Sequence, residues 1–194
     1  AVLLDDKAFF DNVWRWTLRH MYLEDGPCRG YFAWSVPLDG SARAEGPAPD
    51  GEVFFCLALI LAHARWGSVS LSPDEVKVKP STELAYLPWA RKILYDMLHR
   101  QEGEAAPMFQ DNGLIAFVPG APFTDPSYLL PHAFELFAQY AAPEDQGRWQ
   151  EIAQVSRDFL LTKAQPETGL YPEYANNDGT PEEEHGHSSF YSDA

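Results

Sequence analysis

The 194-residue chain is poor in cysteine and in positive charge. Cys28 and Cys56 are its only cysteines and stand in no C-x-x-C pair, so the sequence suggests neither a zinc site nor a disulfide framework, and both read as free thiols. Lys and Arg number 14 against 29 Asp and Glu, a formal net charge of −15. Such a chain repels phosphate backbones and anionic lipid, because binding to either is driven by basic side chains that release counterions. No nucleic acid and no membrane are expected among its partners. No run approaches the ~18 to 20 apolar residues of a spanning helix. The basic-then-apolar layout of a signal peptide is missing at the first residues, which makes a cytoplasmic rather than a secreted location the expectation. A G-x-S-x-G elbow, a Cys/His nucleophile signature and a glycine-rich phosphate loop are missing too. No cofactor is expected.

What is present is the material of a folded domain, 45% hydrophobic and 14% aromatic, enough for one sizeable core. The chain is read as a single domain, 1–194. Apolar residues recur at helical spacing over 6–22, 51–66, about 88–100, 127–141 and 144–163. The first stretch carries one broad stripe through Phe9, Phe10, Val13, Trp14, Leu18, Met21 and Tyr22. The second is apolar on nearly every face, which predicts a helix surrounded by protein. Long connections rich in Gly, Pro, Asp and aromatics separate the helices, over 23–49, 102–126 and 164–192; connections of that length are unusual unless functional. Within them 31–34 and 113–119 could pair as short strands. Antiparallel helical hairpins with loops gathered at one end suit an all-α toroid, whose ligand cleft lies where the loops meet.

Three acidic motifs mark that end. In "PAPDGEVFF" Asp50 reads as a helix N-cap and Glu52 as a first-turn acid complementing the helix dipole, yet two acids opening an oily helix behind a Pro-rich approach also suit a cleft mouth. In "FTDPSYLL" Asp125 starts a turn and Tyr128 follows it, locally a cap and a half-buried aromatic. In "FYSDA" Asp193 is by itself a weak motif. The aromatics Tyr31, Phe32, Trp34, Tyr171, Tyr174, Phe190 and Tyr191 all fall in connections, where large rings either fill a lid or meet a ligand. Flat rings beside carboxylates fit a carbohydrate cleft, with rings on the apolar sugar faces and acids on the hydroxyls. His185 and His187 beside "NNDGTPEEE" match neither an EF-hand nor a standard zinc spacing, so no metal site is assigned.

Taken in order, "YFAW", "GPAPDGE", "TDPSY", "VSRDF", "TGLYPEYANNDGTP" and "FYSDA" resemble glycoside hydrolase family 8 along the whole chain, nearest to its exo-oligoxylanases that release xylose from the reducing end. The stretch 67–84 is longer than that pattern. The resemblance implies an (α/α)6 barrel, present here in part, and hydrolysis of β-1,4-linked xylo-oligosaccharides with inversion, by one acid that protonates the leaving oxygen and one base that activates water. It also implies roles: Asp193 as the base, Tyr128 holding the attacking water, Asp50 stabilising the distorted, cationic sugar, and Trp34 stacking on a ring. Asp125 and Tyr174 join Trp34 as implied substrate-binding residues.

The departures carry expectations of their own. The family's acid, a Glu in E-G-x-S-Y-G-M, is absent and is expected upstream of Ala1, so the 194 residues alone should lack turnover and look like a piece of something longer. Val53 stands where a second acid is expected. Uncovered barrel edges, the inner helix and "AVLL" among them, should expose apolar surface and favour self-association. The competing readings are a sugar-binding or scaffold module without catalysis, another specificity of the same family (endo-xylanase, endo-glucanase or chitosanase), and a helical interaction protein.

Overall fold

The computed structural model describes residues 1–39, 43–68 and 79–185. Among them are five α-helices: α1 (Lys7–His20), α2 (Pro49–Trp66), α3 (Tyr86–Leu98), α4 (Pro131–Tyr140) and α5 (Gln146–Thr162), with short 3-10 turns at Val2–Leu4, Pro126–Tyr128 and Pro143–Asp145. The five predicted helices are therefore found, with shifted ends. α4 starts later than its apolar pattern because Pro131 has no N–H and disfavours a helical Leu130, which takes φ −112° and ψ 73°. Tyr128 thus sits on the preceding 3-10 turn and not on the helix.

Two hairpins organise the core. Trp66 at the end of α2 meets Tyr86 at the start of α3, and the Cys56 thiol faces the Ala90 carbonyl, so the two helices run antiparallel. α4 and α5 pair likewise, with Trp149 set edge-on to Phe137 at 5.2 Å between ring centres and Arg157 bonded to Glu135. α2 also touches α4, which joins the hairpins. A first aromatic cluster holds Trp14, Phe32, Phe55 and Trp89, and a second holds Phe109, Phe134, Phe137 and Trp149. Burying such rings supplies the largest single contributions to a core of this kind, about 1.5–3 kcal/mol per large side chain.

Two expectations about faces need correction. α2 is not enclosed all round: Phe54 is 55% exposed and Leu61 37%, out of step with the buried Val53, Cys56 and Ile60. The broad stripe over 6–22 is not wholly used: Trp14 and Tyr22 are buried and Phe10, Leu18 and Met21 pack against the core, while Phe9 and Val13 face outward, as does Trp16 outside the stripe. The segments 31–34 and 113–119 do not pair with each other either. Phe32 bridges Tyr22 and Ile115 bridges Phe109, each the near neighbour in its own hairpin, which costs less loop closure than a long-range pairing.

Candidate active site

The start of α2 is where the acids matter. Ala48 is its N-cap and makes no side-chain capping bond; Pro49 takes the first helical position, where its missing N–H is not needed. Asp50 is therefore not the cap, as the sequence suggested, but a first-turn residue. Half-buried, it has its pKa raised by desolvation, with the backbone N–H groups of Gly51 and its own residue opposing the rise. Glu52 is 1% exposed and its Oε1 accepts the backbone N–H of Phe32 at 2.8 Å. Burial pushes its pKa up to about 8; the Phe32 N–H opposes the rise and the charge of Asp50 adds to it. Val53, where a further acid was expected, is fully buried among apolar groups, a place that would penalise a charge heavily.

A cavity of about 260 Å³ opens here, lined by Trp34, Asp50, Glu52, Phe55 and Tyr128 among others. Three of the residues singled out in the sequence, Trp34, Asp50 and Tyr128, thus share one hollow although 94 positions separate the outermost two. Trp34 is 67% exposed, a large ring left open beside a carboxylate. Its backbone N–H donates to Gly46 and the Ala33 N–H to Met21, so the segment is laced on both sides. Tyr128 reaches the hollow from its 3-10 turn, which Asp125 caps by accepting the Ser127 N–H at 2.9 Å.

Asp125 and Tyr174 are not among the residues lining this cavity. Asp125 holds the turn that presents Tyr128. Tyr174 packs on Phe117 at 4.4 Å between ring centres, and Phe117 in turn lies nearly parallel to Tyr128 at 6.1 Å, so it connects to the site through one intervening ring. Asp193, Phe190, Tyr191 and His187 lie outside the described residues. Of the other loop aromatics, Tyr31 and Phe32 are fully buried, and the Tyr31 hydroxyl bonds the carbonyls of Asp96 and Ala106, so both are core residues and not ligand platforms. Tyr171 likewise donates to the Leu160 carbonyl. Glu52 was missed as a site residue; its position next to Asp50 was visible, but nothing in sequence order links it to Phe32, 20 residues earlier.

Two other clusters of charged groups are occupied with their own neighbours. Glu182, Glu184 and His185 bring one potential ligand atom each within 4.8 Å of one another, but the Glu182 carboxylate already accepts the N–H groups of Glu184 and His185 and closes that turn. A larger hollow of about 530 Å³ lies beside the C-terminal end of α3, and its charges are paired internally: Lys92 with Asp96, Arg29 with Glu104, Lys79 with Glu24.

The helical hairpins thus carry a hollow lined by aromatics and carboxylates at the start of α2, and comparison with known proteins shows what this arrangement is similar to. The model of glycosyl hydrolases family 8 matches residues 1–75. The chain is 46% identical, over its full length, to the reducing end xylose-releasing exo-oligoxylanase of Halalkalibacterium halodurans, and 43% identical to that of Bifidobacterium adolescentis. It superposes on a crystal structure of such an exo-oligoxylanase with a TM-score of 0.89 at 46% identity, covering 100% of this chain and 49% of that one. A related crystal structure, in complex with xylobiose, gives a TM-score of 0.87, covering 98% of this chain and 48% of that one. The chain belongs to glycosyl hydrolases family 8, and its hairpins are part of an (α/α)6 barrel. It spans 48% and 49% of the two curated relatives named above, about half their length.

Proposed function

We propose that this chain is the portion of an inverting glycoside hydrolase that holds the sugar next to the scissile bond, acting on β-1,4-linked xylo-oligosaccharides and releasing xylose from the reducing end. The observation that carries this reading is the convergence of Trp34, Asp50 and Tyr128 on one hollow. The identity to exo-oligoxylanases along the full chain supports the substrate class.

Inversion needs an acid and a base about 6.5–9.5 Å apart, leaving room for a water between base and sugar. In this reading Asp193 is the base, Tyr128 orients the water, and Asp50 faces the anomeric centre as it gains positive charge. A carboxylate fixed at a half-buried position stabilises that charge more than bulk water would, because it needs no reorganisation when the bond breaks. The exposed face of Trp34 covers the apolar side of a pyranose. Asp125 and Tyr174 then act on substrate through Tyr128 and its ring neighbours. The Asp193→Asn variant of the full-length protein tests the reading: it should bind xylotriose and lose turnover, whereas turnover at the wild-type rate would overturn it.

The outward faces of α1 (Phe9, Val13, Trp16) and α2 (Phe54, Leu61) support a second element of the reading, self-association of the 194-residue chain through apolar edges.

A further inference from the structure

Glu52 has no part in the acid–base scheme above, yet its environment is the most demanding of any acid around the cavity. Its side chain is 1% exposed and its Oε1 takes the Phe32 N–H at 2.8 Å. Phe32 is itself 1% exposed, so without this acceptor its N–H would be buried with no partner. Two residues further on stands Trp34.

The bonds around 31–34 divide by direction. Those to Leu23 and Met21 on one side and Gly46 on the other stitch the segment to neighbouring loops: the Leu23 N–H donates to Tyr31, the Ala33 N–H to Met21 and the Trp34 N–H to Gly46. The Phe32–Glu52 bond is, among the described residues, the one hydrogen bond that ties the segment to α2, and α2 carries Asp50 two residues before Glu52. Beside the Phe32–Phe55 ring contact at 4.9 Å, which also reaches α2, this bond is the directional link between the segment that carries Trp34 and the helix that carries Asp50.

We infer that Glu52 is a positioning residue for the sugar site, a buried bracket that holds the Trp34 platform at a fixed offset from Asp50. It touches no substrate; it acts through the Phe32–Trp34 backbone. What it must supply is reach and an acceptor oxygen, and not a charge. This rests on the proposal that the hollow binds a xylo-oligosaccharide.

Glu52→Gln and Glu52→Asp separate the requirements. The glutamine keeps the length and a carbonyl acceptor; the aspartate keeps the carboxyl but is one methylene short of Phe32. In the full-length protein, titrated with xylobiose by calorimetry, Glu52→Gln should retain wild-type affinity, and Glu52→Asp should weaken it about tenfold, the size of one lost buried hydrogen bond. Combined with Trp34→Ala, the aspartate should cost almost nothing further, because the platform it displaces is gone. A purely structural role would lower the melting temperature and leave affinity per folded molecule untouched. Equal affinity of Glu52→Asp and wild type would overturn the inference, as would an undiminished tenfold loss in the Trp34→Ala background. Failure of the wild-type protein to bind xylobiose would instead overturn the functional reading on which it rests. If Glu52→Asp does not fold, Glu52→Gln still decides, since a large loss of affinity there would show that charge and not reach is required.

Discussion

The Glu52 carboxylate and the Phe32 amide, 20 residues apart, meet at 2.8 Å, both residues being 1% exposed. A carboxyl there stays protonated far above its usual range, since burial raises its pKa from 4.5 to about 8. Between those two values the folded chain keeps a proton that the unfolded chain has released. Stability must therefore fall as pH rises from about 4.5 to about 8 and level off above. Each pH unit crossed in that window costs about 1.4 kcal/mol, a total on the order of a few kcal/mol. Glu52→Gln removes that contribution. Denaturant unfolding at pH 5 and pH 8 should show the variant gaining on the wild type at the higher pH, and a constant difference between them would refute the assignment.

Trp34 presents a ring that folding does not need, being two-thirds exposed. Trp34→Ala should leave the melting temperature within about 2 °C of wild type, as for surface changes of under about 0.5 kcal/mol. It should raise KM for xylo-oligosaccharides on the order of tenfold, about 1.4 kcal/mol. Steady-state kinetics and a thermal melt check both halves.

Asp50 differs in which parameter it controls. If its carboxylate acts on charge that develops only in the transition state, Asp50→Asn should lower kcat by about 10²- to 10³-fold and change KM little. A rise in KM with kcat intact would make it a binding residue only.

The apolar faces of α1 and α2 predict behaviour of the 194-residue chain. Sedimentation should show association that weakens when Phe54 and Leu61, 55% and 37% exposed, are both changed to Gln. A monomer at all concentrations in the unchanged chain would count against it.

Much of this was legible in the sequence because helices announce themselves by period. The five helical stretches are read from spacing. The family resemblance implies a convergence of Asp50, Tyr128 and Asp193; the first two line one hollow, and Asp193 lies outside the described residues. What failed depended on partners distant in the chain. Asp50 looked like a cap, and only the extended Ala48 and the helical Pro49 show that the helix starts before it. Tyr31 and Phe32 looked like ligand rings because loops are usually exposed, but this loop folds back between 21–23 and α2 and fills the core. α2 looked enclosed because its composition is apolar all round, and composition does not say which neighbours are at hand.

The most direct test of the central claim is the anomer formed first when the full-length protein cleaves xylotriose, followed by proton NMR before mutarotation. Inversion at a β-1,4 bond predicts free xylose together with xylobiose whose new reducing end appears as the α-anomer. Xylobiose appearing first as the β-anomer, or xylotriose bound and left intact, would contradict it.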